Sequence, residues 1–372
     1  MDVAVVGAGP AGSFCAWRLA RAGHRVTLYD PSHPREKPCG GGVTPGVFAR
    51  WPELGELRAA ARPSHLVRLA GPRGRELSVG LAQPIEIFSR RVLDSLLLER
   101  ACKAGAELRE LRVRRVGQTP GGIELELAGG ARARHGFVVG ADGAASAVRR
   151  SLLGERPGGA ASYATAGFHV AGLAESEIAI EFTREFAGYL WVFPRTDHAS
   201  VGIAAPVGAA NGTELRARVL EFLERRYPGS RALPSEPYAA SIPVAPGPVA
   251  GPGFALAGDA ANANDAITGE GIGHALDSGG LVADALCEAG PERAPALYTD
   301  RWQAGPGGEL AACARLARRL YRPATVDFSL ALAAHSRRAR RLMADMLVAG
   351  QSYRALGRRL ARDLLRPRSA TA

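Results

Sequence analysis

Six residues near the start constrain this chain more than any others: Gly7-Ala8-Gly9-Pro10-Ala11-Gly12. They follow Val3-Ala4-Val5-Val6, whose unbroken apolar run predicts a buried parallel strand. They open a helix predicted over 11–22, with Gly23 placed to end it. A second strand is predicted over 25–30. The glycine spacing has a mechanical reason. Gly7 permits a tight turn, Gly9 lets the backbone approach a pyrophosphate, and Gly12 lets helix and strand pack closely. Pro10 and Ala11 stand where the helix opens, and its positive dipole end then faces the phosphates. Asp30, eighteen residues past Gly12 and at the end of the second strand, is positioned to accept a hydrogen bond from a ribose hydroxyl. The pattern predicts a βαβ unit that binds a dinucleotide.

A length of 372 residues allows two domains or one large domain with an insertion. The first strand begins almost at once, so no secretory signal is expected ahead of it. There is no apolar run of about 18 residues, so no membrane-spanning helix is expected. Cysteines 15, 39, 102, 287 and 313 are scattered and odd in number. They predict free thiols in a reducing cytoplasm and no metal site.

Residues 31–46 are rich in Pro and Gly and predict a loop. Helical periodicity covers 91–104, and strands are predicted near 106–116, 122–127 and 137–141. Alternating strands fill 160–250, interrupted by one helix near 212–226. A short buried strand returns at 254–258, a helix at 271–287, and mostly helix from 294 onward. The expected fold class is α/β: a Rossmann-type domain, an inserted antiparallel-sheet substrate domain and a C-terminal helical region. The expected boundaries are 1–65, 86–158 and 250–290 for the first, 66–85 and 159–249 for the second, and 291–372 for the third.

Two further motifs carry Gly-Asp pairs: Val139-Gly140-Ala141-Asp142-Gly143, and Leu256-Ala257-Gly258-Asp259-Ala260-Ala261 followed by Thr268-Gly269-Glu270-Gly271-Ile272. A turn or helix-cap role is the simple alternative for each Asp. Together with the opening glycines, the three motifs resemble those of the para-hydroxybenzoate hydroxylase-type FAD-dependent oxidoreductases. The resemblance implies that Asp259 meets the ribityl chain of FAD and that Asp142 supports both FAD and NAD(P)H. It implies that the helix opened by Gly269, Gly271 and Ile272 lies against the isoalloxazine, its dipole stabilising the negative charge of reduced flavin. Arg90 resembles a superfamily arginine that reaches the flavin side.

Tyr189-Leu190-Trp191-Val192-Phe193-Pro194 places three aromatic residues at alternate positions, on one face of a strand. A plain core strand would show the same alternation. The string resembles the Tyr-x-Trp-x-Phe-Pro signature of the geranylgeranyl reductase family, which lines a prenyl cavity beside the flavin. Such a wall offers apolar area without unsatisfied polar groups. The family follows it with Gly-x-Gly; here Gly202-Ile203-Ala204 lacks the second glycine, which predicts a reshaped cavity end. Lys37-Pro38-Cys39-Gly40-Gly41-Gly42 resembles the loop that these reductases place over the flavin. Cys39 then bounds the cavity or donates a proton, an inert buried thiol being the alternative. Ala266 stands where the family carries proline before Thr-Gly-Glu-Gly, which predicts a looser loop. The run Gly350-Gln351-Ser352-Tyr353-Arg354-Ala355-Leu356 is similar to the family's C-terminal helices.

The resemblance implies FAD-dependent reduction of carbon–carbon double bonds in a prenyl chain by hydride transfer. Tyr189, Trp191, Phe193, Pro194 and Gly202 would meet the substrate. With no second glycine unit, NAD(P)H or a ferredoxin-like protein would deliver electrons transiently. The alternatives are a monooxygenase on an apolar or aromatic substrate, a halogenase, for which Lys37 and Lys103 are the lysines available, and a non-catalytic electron carrier or lipid binder. Charge adds one feature. From 315 to 368 there are fourteen arginines, three aspartates and no Lys or Glu, which equals the net charge of +11. A solvated face is the simple reading; beside an apolar ligand, the basic helices also predict contact with an anionic membrane surface. Nucleic acid is not expected, because no recognition motif accompanies the charge. The oligomeric state is left open.

Overall fold

A computed structural model describes residues 1–154, 162–173, 175–232, 238–244, 247–348, 350 and 352–356. The opening unit forms as its residues dictate. The strand Asp2–Val6 is buried from Val3 onward, helix α1 spans Pro10–Arg21, and the strand Arg25–Tyr29 pairs parallel to the first. These two strands lie within a six-stranded sheet in the order 250–251, 254–256, 137–140, 2–6, 25–29, 107–109. All its neighbours are parallel except the short hairpin 250–251/254–256. Such strands need apolar residues on both faces, and Val3, Val5, Val138, Val139 and Leu256 supply them fully buried.

The region expected to be loop is partly ordered structure. Gly42–Val43 adds a two-residue strand, and helix α2 starts at Pro45 and runs to Arg50. A 3₁₀ segment, Pro52–Ala60, follows. Helix α3 covers Arg90–Lys103. The single strand expected over 106–116 is two, Glu107–Arg109 and Val113–Thr119; the second joins Gly122–Leu127 and Arg132–His135 in a separate three-stranded sheet. Helix α4 spans Ala147–Leu153.

The second large sheet has nine strands. Its main path runs 231–232, 162–171, 199–206, 189–194, 178–182, 62–70, 76–87, 42–43, with 238–243 paired on 162–171. It is antiparallel apart from one parallel pairing, 62–70 with 178–182. The expected boundaries at 65/66 and 85/86 fall inside the strands Arg62–Ala70 and Glu76–Ile87, which are continuous. Helix α5, Gly212–Arg226, covers one face and begins with a full capping box from Asn211 and Glu214.

The helix expected over 271–287 forms from Ile272, and Gly290, with φ +70° and ψ 173°, separates it from the helical segment that follows. α6 spans Ile272–Ala304 and kinks at Gly290, just before Pro291. Helices α7 (Pro306–Leu320), α8 (Pro323–His335) and α9 (Arg337–Leu347) follow. α8 packs on the sheet through Val326, Leu330 and Ala333, against Val67, Leu69 and Val79, and α9 adds Ala339, Met343 and Leu347 to the same cluster. Gln351 and the arginines at 358, 359, 362, 366 and 368 lie outside the described residues. Among the described residues, no helix is long and apolar enough to cross a membrane.

Candidate active site

The strand ends of the parallel sheet converge on the glycine turn. Gly7 has φ +101°, and a β-carbon there would lie 2.3 Å from the Ala141 carbonyl oxygen. A β-carbon on Gly12 would lie 1.9 Å from the carbonyl oxygen of Gly7. Asp142 and Gly143 therefore sit directly beside the first turn. Gly9 caps α1 without any side-chain hydrogen bond, and Pro10 follows it. Ala11 packs under α6, where a β-carbon on Gly279 would meet its carbonyl oxygen at 2.3 Å.

Asp30 lies just past its strand and is heavily satisfied. Its Oδ2 accepts from Ala8 N at 2.9 Å, and its Oδ1 from Ser32 N at 2.7 Å and His33 N at 2.9 Å. His33 Nδ1 is 2.7 Å from Asp30 Oδ2, and His33 Nε2 is 3.3 Å from Asp94 Oδ2. Arg90 grips Asp94 with two bonds, 3.0 and 2.8 Å. Burial pushes the Asp30 carboxyl up, but the His33 ring and the Ala8 amide outweigh it and hold it below the usual range. Burial alone would lower the His33 imidazole; the two carboxylates raise it instead. A four-member chain, Asp30–His33–Asp94–Arg90, thus runs under the cofactor turn. The sequence singled out its ends, Asp30 and Arg90, and passed over the middle; the i,i+4 spacing of Arg90 and Asp94 was the available signal.

Two loops meet above this chain. In the first, the Cys39 sulfur accepts from Gly41 N at 3.3 Å and lies beside the Arg90 guanidinium. Gly40 lets the loop rest on the Phe193 ring, since a β-carbon would come within 2.7 Å of it. Gly41 leaves similarly little room, 2.0 Å from the Phe88 carbonyl oxygen. Arg195, which follows Pro194, donates to Cys39 O at 2.7 Å and to Glu36 Oε1 at 2.5 Å. Glu36 in turn accepts from Ser89 Oγ and Arg90 N at the start of α3. Burial raises the Glu36 carboxyl, yet Arg195 and these donors bring it down to about 2. Arg195 is therefore a buried clamp that joins the aromatic strand, the cysteine loop and α3, and no motif in the sequence marks it.

The second loop spans 258–271. Lys37 Nζ is 3.4 Å from Asp259 Oδ2, and Asn264 donates to Asp259 Oδ1 at 3.1 Å. Burial raises the Asp259 carboxyl, but Lys37 and Asn264 outweigh it and hold it below the usual range. Gly269 abuts Tyr189, whose hydroxyl would lie 2.3 Å from a β-carbon placed there. Gly271 caps α6 without a side-chain bond, and Ile272 is buried among Phe14, Val47 and Leu93. Ala266 is buried beside Cys313 and Ala317. The proline is replaced as a restraint by Asp265, which accepts from Ile267 N (2.7 Å), Thr268 N (2.8 Å), Cys313 Sγ (3.2 Å) and Tyr353 Oη (2.7 Å). Asp142 Oδ2 accepts from Ala147 N at 2.6 Å at the start of α4, while its buried Oδ1 has no partner.

The aromatic strand Tyr189–Pro194 closes the site. Trp191 lies flat over its cross-strand partner Gly202, where a β-carbon would sit 2.4 Å from the ring, and donates to Ser200 Oγ at 3.3 Å. Ala204, opposite Tyr189, is buried against Trp191. Tyr321, just past α7, stacks on Tyr189 at 6.1 Å and 14°, with Phe182 at 5.9 Å and Tyr163 at 6.3 Å. These three rings come from segments far apart in the chain and carry no motif.

The geometry fits a dinucleotide with a flavin. Two helices, α1 and α6, start at uncapped glycines facing the same region, ready for a pyrophosphate and for charge on a ring. The comparisons agree. Residues 1–220 match the FAD binding domain family. The chain is 30% identical to digeranylgeranylglycerophospholipid reductase of Methanosarcina acetivorans, over 83% of this chain and 82% of that protein. It is 31% identical to menaquinone reductase of Mycobacterium tuberculosis, over 82% and 81%. A geranylgeranyl bacteriochlorophyll reductase-like protein from Thermoplasma acidophilum shares the fold, with a TM-score of 0.81 at 22% identity over 96% of this chain and 98% of that one. The match over residues 1–220 and the 30% identity over 83% of the chain show that it is an FAD-dependent oxidoreductase and belongs to the geranylgeranyl reductase family.

Proposed function

We propose that this protein reduces carbon–carbon double bonds of a prenyl, geranylgeranyl-type chain. The observation that carries the proposal is the junction of the aromatic strand with both loops: Phe193 against Gly40, and Tyr189 against Gly269. An apolar chain laid along these rings would run past the place where the loops meet. The relatives named for prenyl-lipid and menaquinone reduction support the same reading. Bound FAD would supply the hydride, with electrons delivered to it by NAD(P)H or a ferredoxin-like protein.

The chain's own residues would do the rest. Gly7, Gly9, Pro10, Ala11 and Gly12 hold the pyrophosphate, Asp30 the ribose, and Asp142, Gly143, Gly258 and Asp259 the remainder of the cofactor. Arg90, Gly40, Gly41, Gly269, Gly271 and Ile272 frame the ring. Tyr189, Trp191, Phe193, Pro194 and Gly202 hold the chain and exclude water. An isolated alkene is a poor acceptor, so this positioning supplies much of the rate. Cys39, between Arg90 and the reach of Tyr189, is the proposed proton donor.

The enzyme would work in the cytoplasm, docked on an anionic membrane. Phe328 is 67% and Leu332 45% exposed, one turn apart on α8, and the segments that flank this helix carry exposed Arg322, Arg337 and Arg341. The test of the activity is anaerobic. The purified flavoprotein is reduced with dithionite and mixed with a geranylgeranyl lipid. Re-oxidation with product mass rising by two hydrogens per bond is expected. A flavin that stays reduced until oxygen enters, then yields a hydroxylated product, would assign a monooxygenase instead.

A further inference from the structure

We infer that Tyr321 is the end stop of the prenyl groove and sets how long a chain the site accepts. The inference rests on the reading of the aromatic strand as the substrate wall. Its basis is the order of contacts along that strand. Phe193, Trp191 and Tyr189 stand in a row on one face, spanning roughly 13 Å at about 3.3 Å per residue. The Phe193 end touches the cysteine loop at Gly40 and Gly42. The Tyr189 end is stacked by Tyr321, with the two rings nearly parallel at 14°. A chain entering from the Phe193 end therefore meets the Tyr321 ring after Tyr189.

Tyr321 is built to hold that position. It is 5% exposed. Its backbone N–H bonds Ala317 O as α7 ends, and its hydroxyl donates to Ile267 O at 2.5 Å. With the hydroxyl satisfied, the ring offers only carbon to an apolar neighbour. Phe182 and Tyr163 brace its other sides. Ile267 lies in the loop whose Gly269 touches Tyr189, so the same residue closes the groove and pins the loop. The stop is contributed by the C-terminal helices, outside the sheet that carries the wall.

The test uses the FAD-loaded protein and saturated alcohols of geraniol, farnesol and geranylgeraniol length, which bind without reacting. Their Kd values are read from flavin absorbance shifts. In the wild type, affinity should rise with length and then level off. Tyr321→Ala should remove the plateau and tighten the longest alcohol by about tenfold, because each extra buried methylene adds to binding. Tyr321→Phe keeps the ring and should keep the plateau; Tyr321→Leu, a milder truncation in case the alanine variant loses FAD, should shift it partway. An unchanged length profile in both truncations, with a wild type that turns over geranylgeranyl lipid, overturns the end stop alone. A shift by Tyr321→Phe as large as that of the truncations also overturns it, since the hydroxyl anchor and not the ring would then be responsible. A wild type that neither binds these alcohols nor reduces the lipid overturns the prenyl reading, and the end stop with it.

Discussion

The cofactor end and the apolar end of this site are built from different material. At the cofactor end the working surface is backbone: Gly7, Gly9 and Gly12 matter for the side chains they lack, and α1 and α6 present bare N-termini. At the apolar end the surface is side chain: Tyr163, Phe182, Tyr189, Trp191 and Tyr321 come from three strands and the end of a helix. Backbone surfaces tolerate almost no substitution, because neither a carbonyl nor a helix can move aside. Ring surfaces tolerate more, since each ring shares the wall with its neighbours. The first end should therefore fail in an all-or-none way and the second by degrees.

The largest effect is expected where backbone meets backbone. Gly12→Val would drive a branched side chain into the Gly7 carbonyl and should cost more than about 3 kcal/mol, with loss of FAD. Flavin absorbance per chain and the thermal midpoint measure both. Gly9→Ala is the control. Its nearest neighbour is His33 Nε2 at 3.7 Å, so the fold should survive while FAD affinity falls by about tenfold or more. If Gly9→Ala binds FAD as well as the wild type, the cradle is not where the pyrophosphate sits.

The junction between the two ends comes next. Arg195→Met should strand the half-buried Glu36 and cost about 2–4 kcal/mol. In the wild type, Glu36 titrates at about 2, below its ordinary 4.5. A depressed carboxylate contributes stability that is whole above pH 4.5 and is lost as pH falls from 4.5 towards 2, on the order of 3 kcal/mol in all. Urea unfolding between pH 7 and pH 3 should show that acid limb in the wild type and a flatter one in Arg195→Met. Equal slopes would remove Glu36 from the acid sensitivity.

Smaller effects belong to the ring surface. Tyr189→Ala should leave FAD content unchanged while lowering prenyl turnover by about a hundredfold, roughly 2.7 kcal/mol of lost positioning. Loss of flavin in that variant would show that the two ends are not separable. The smallest effect on the fold is expected at the surface. Phe328→Ser with Leu332→Ser should change stability by less than about 0.5 kcal/mol, yet weaken sedimentation with anionic vesicles several-fold. Unaltered vesicle binding would leave those two side chains without a membrane role.

The two ends also differ in how legible they were. The glycine turn, Asp30 and the alternating aromatic strand could be read from spacing and residue type, since each lies within one short segment, whereas the Asp259 loop was legible only through the family resemblance. α5 has its predicted span because Asn211 and Glu214 cap it locally. The loop expected over 31–46 hides a short strand and α2, because pairing of Gly42 and Val43 with Ile87 and Glu86 overrides a glycine-rich composition. The first part of α6 ends close to its expected limit, since Gly290 takes the chain out of helical geometry. His33 and Asp265 make local bonds, to Asp30 and to the Ile267 and Thr268 amides, but the longer-range contacts of these two and of Arg195 and Tyr321 left no signal in the sequence. Their partners are Asp94, Cys313 and Tyr353, Cys39, and Tyr189, most of them more than fifty positions away.

What the sequence determined by itself is the glycine turn and the one-sided placing of the aromatic rings along the strand. A glycine turn and a strand's two faces depend on backbone geometry over a few residues, and local sterics fix those. What only the tertiary structure decided is where the apolar wall stops and what clamps it to the cofactor. Buried contacts of Arg195, Asp265 and Tyr321 gain their energy from partners brought in by folding, and a pairing set by packing leaves no periodic trace in the chain.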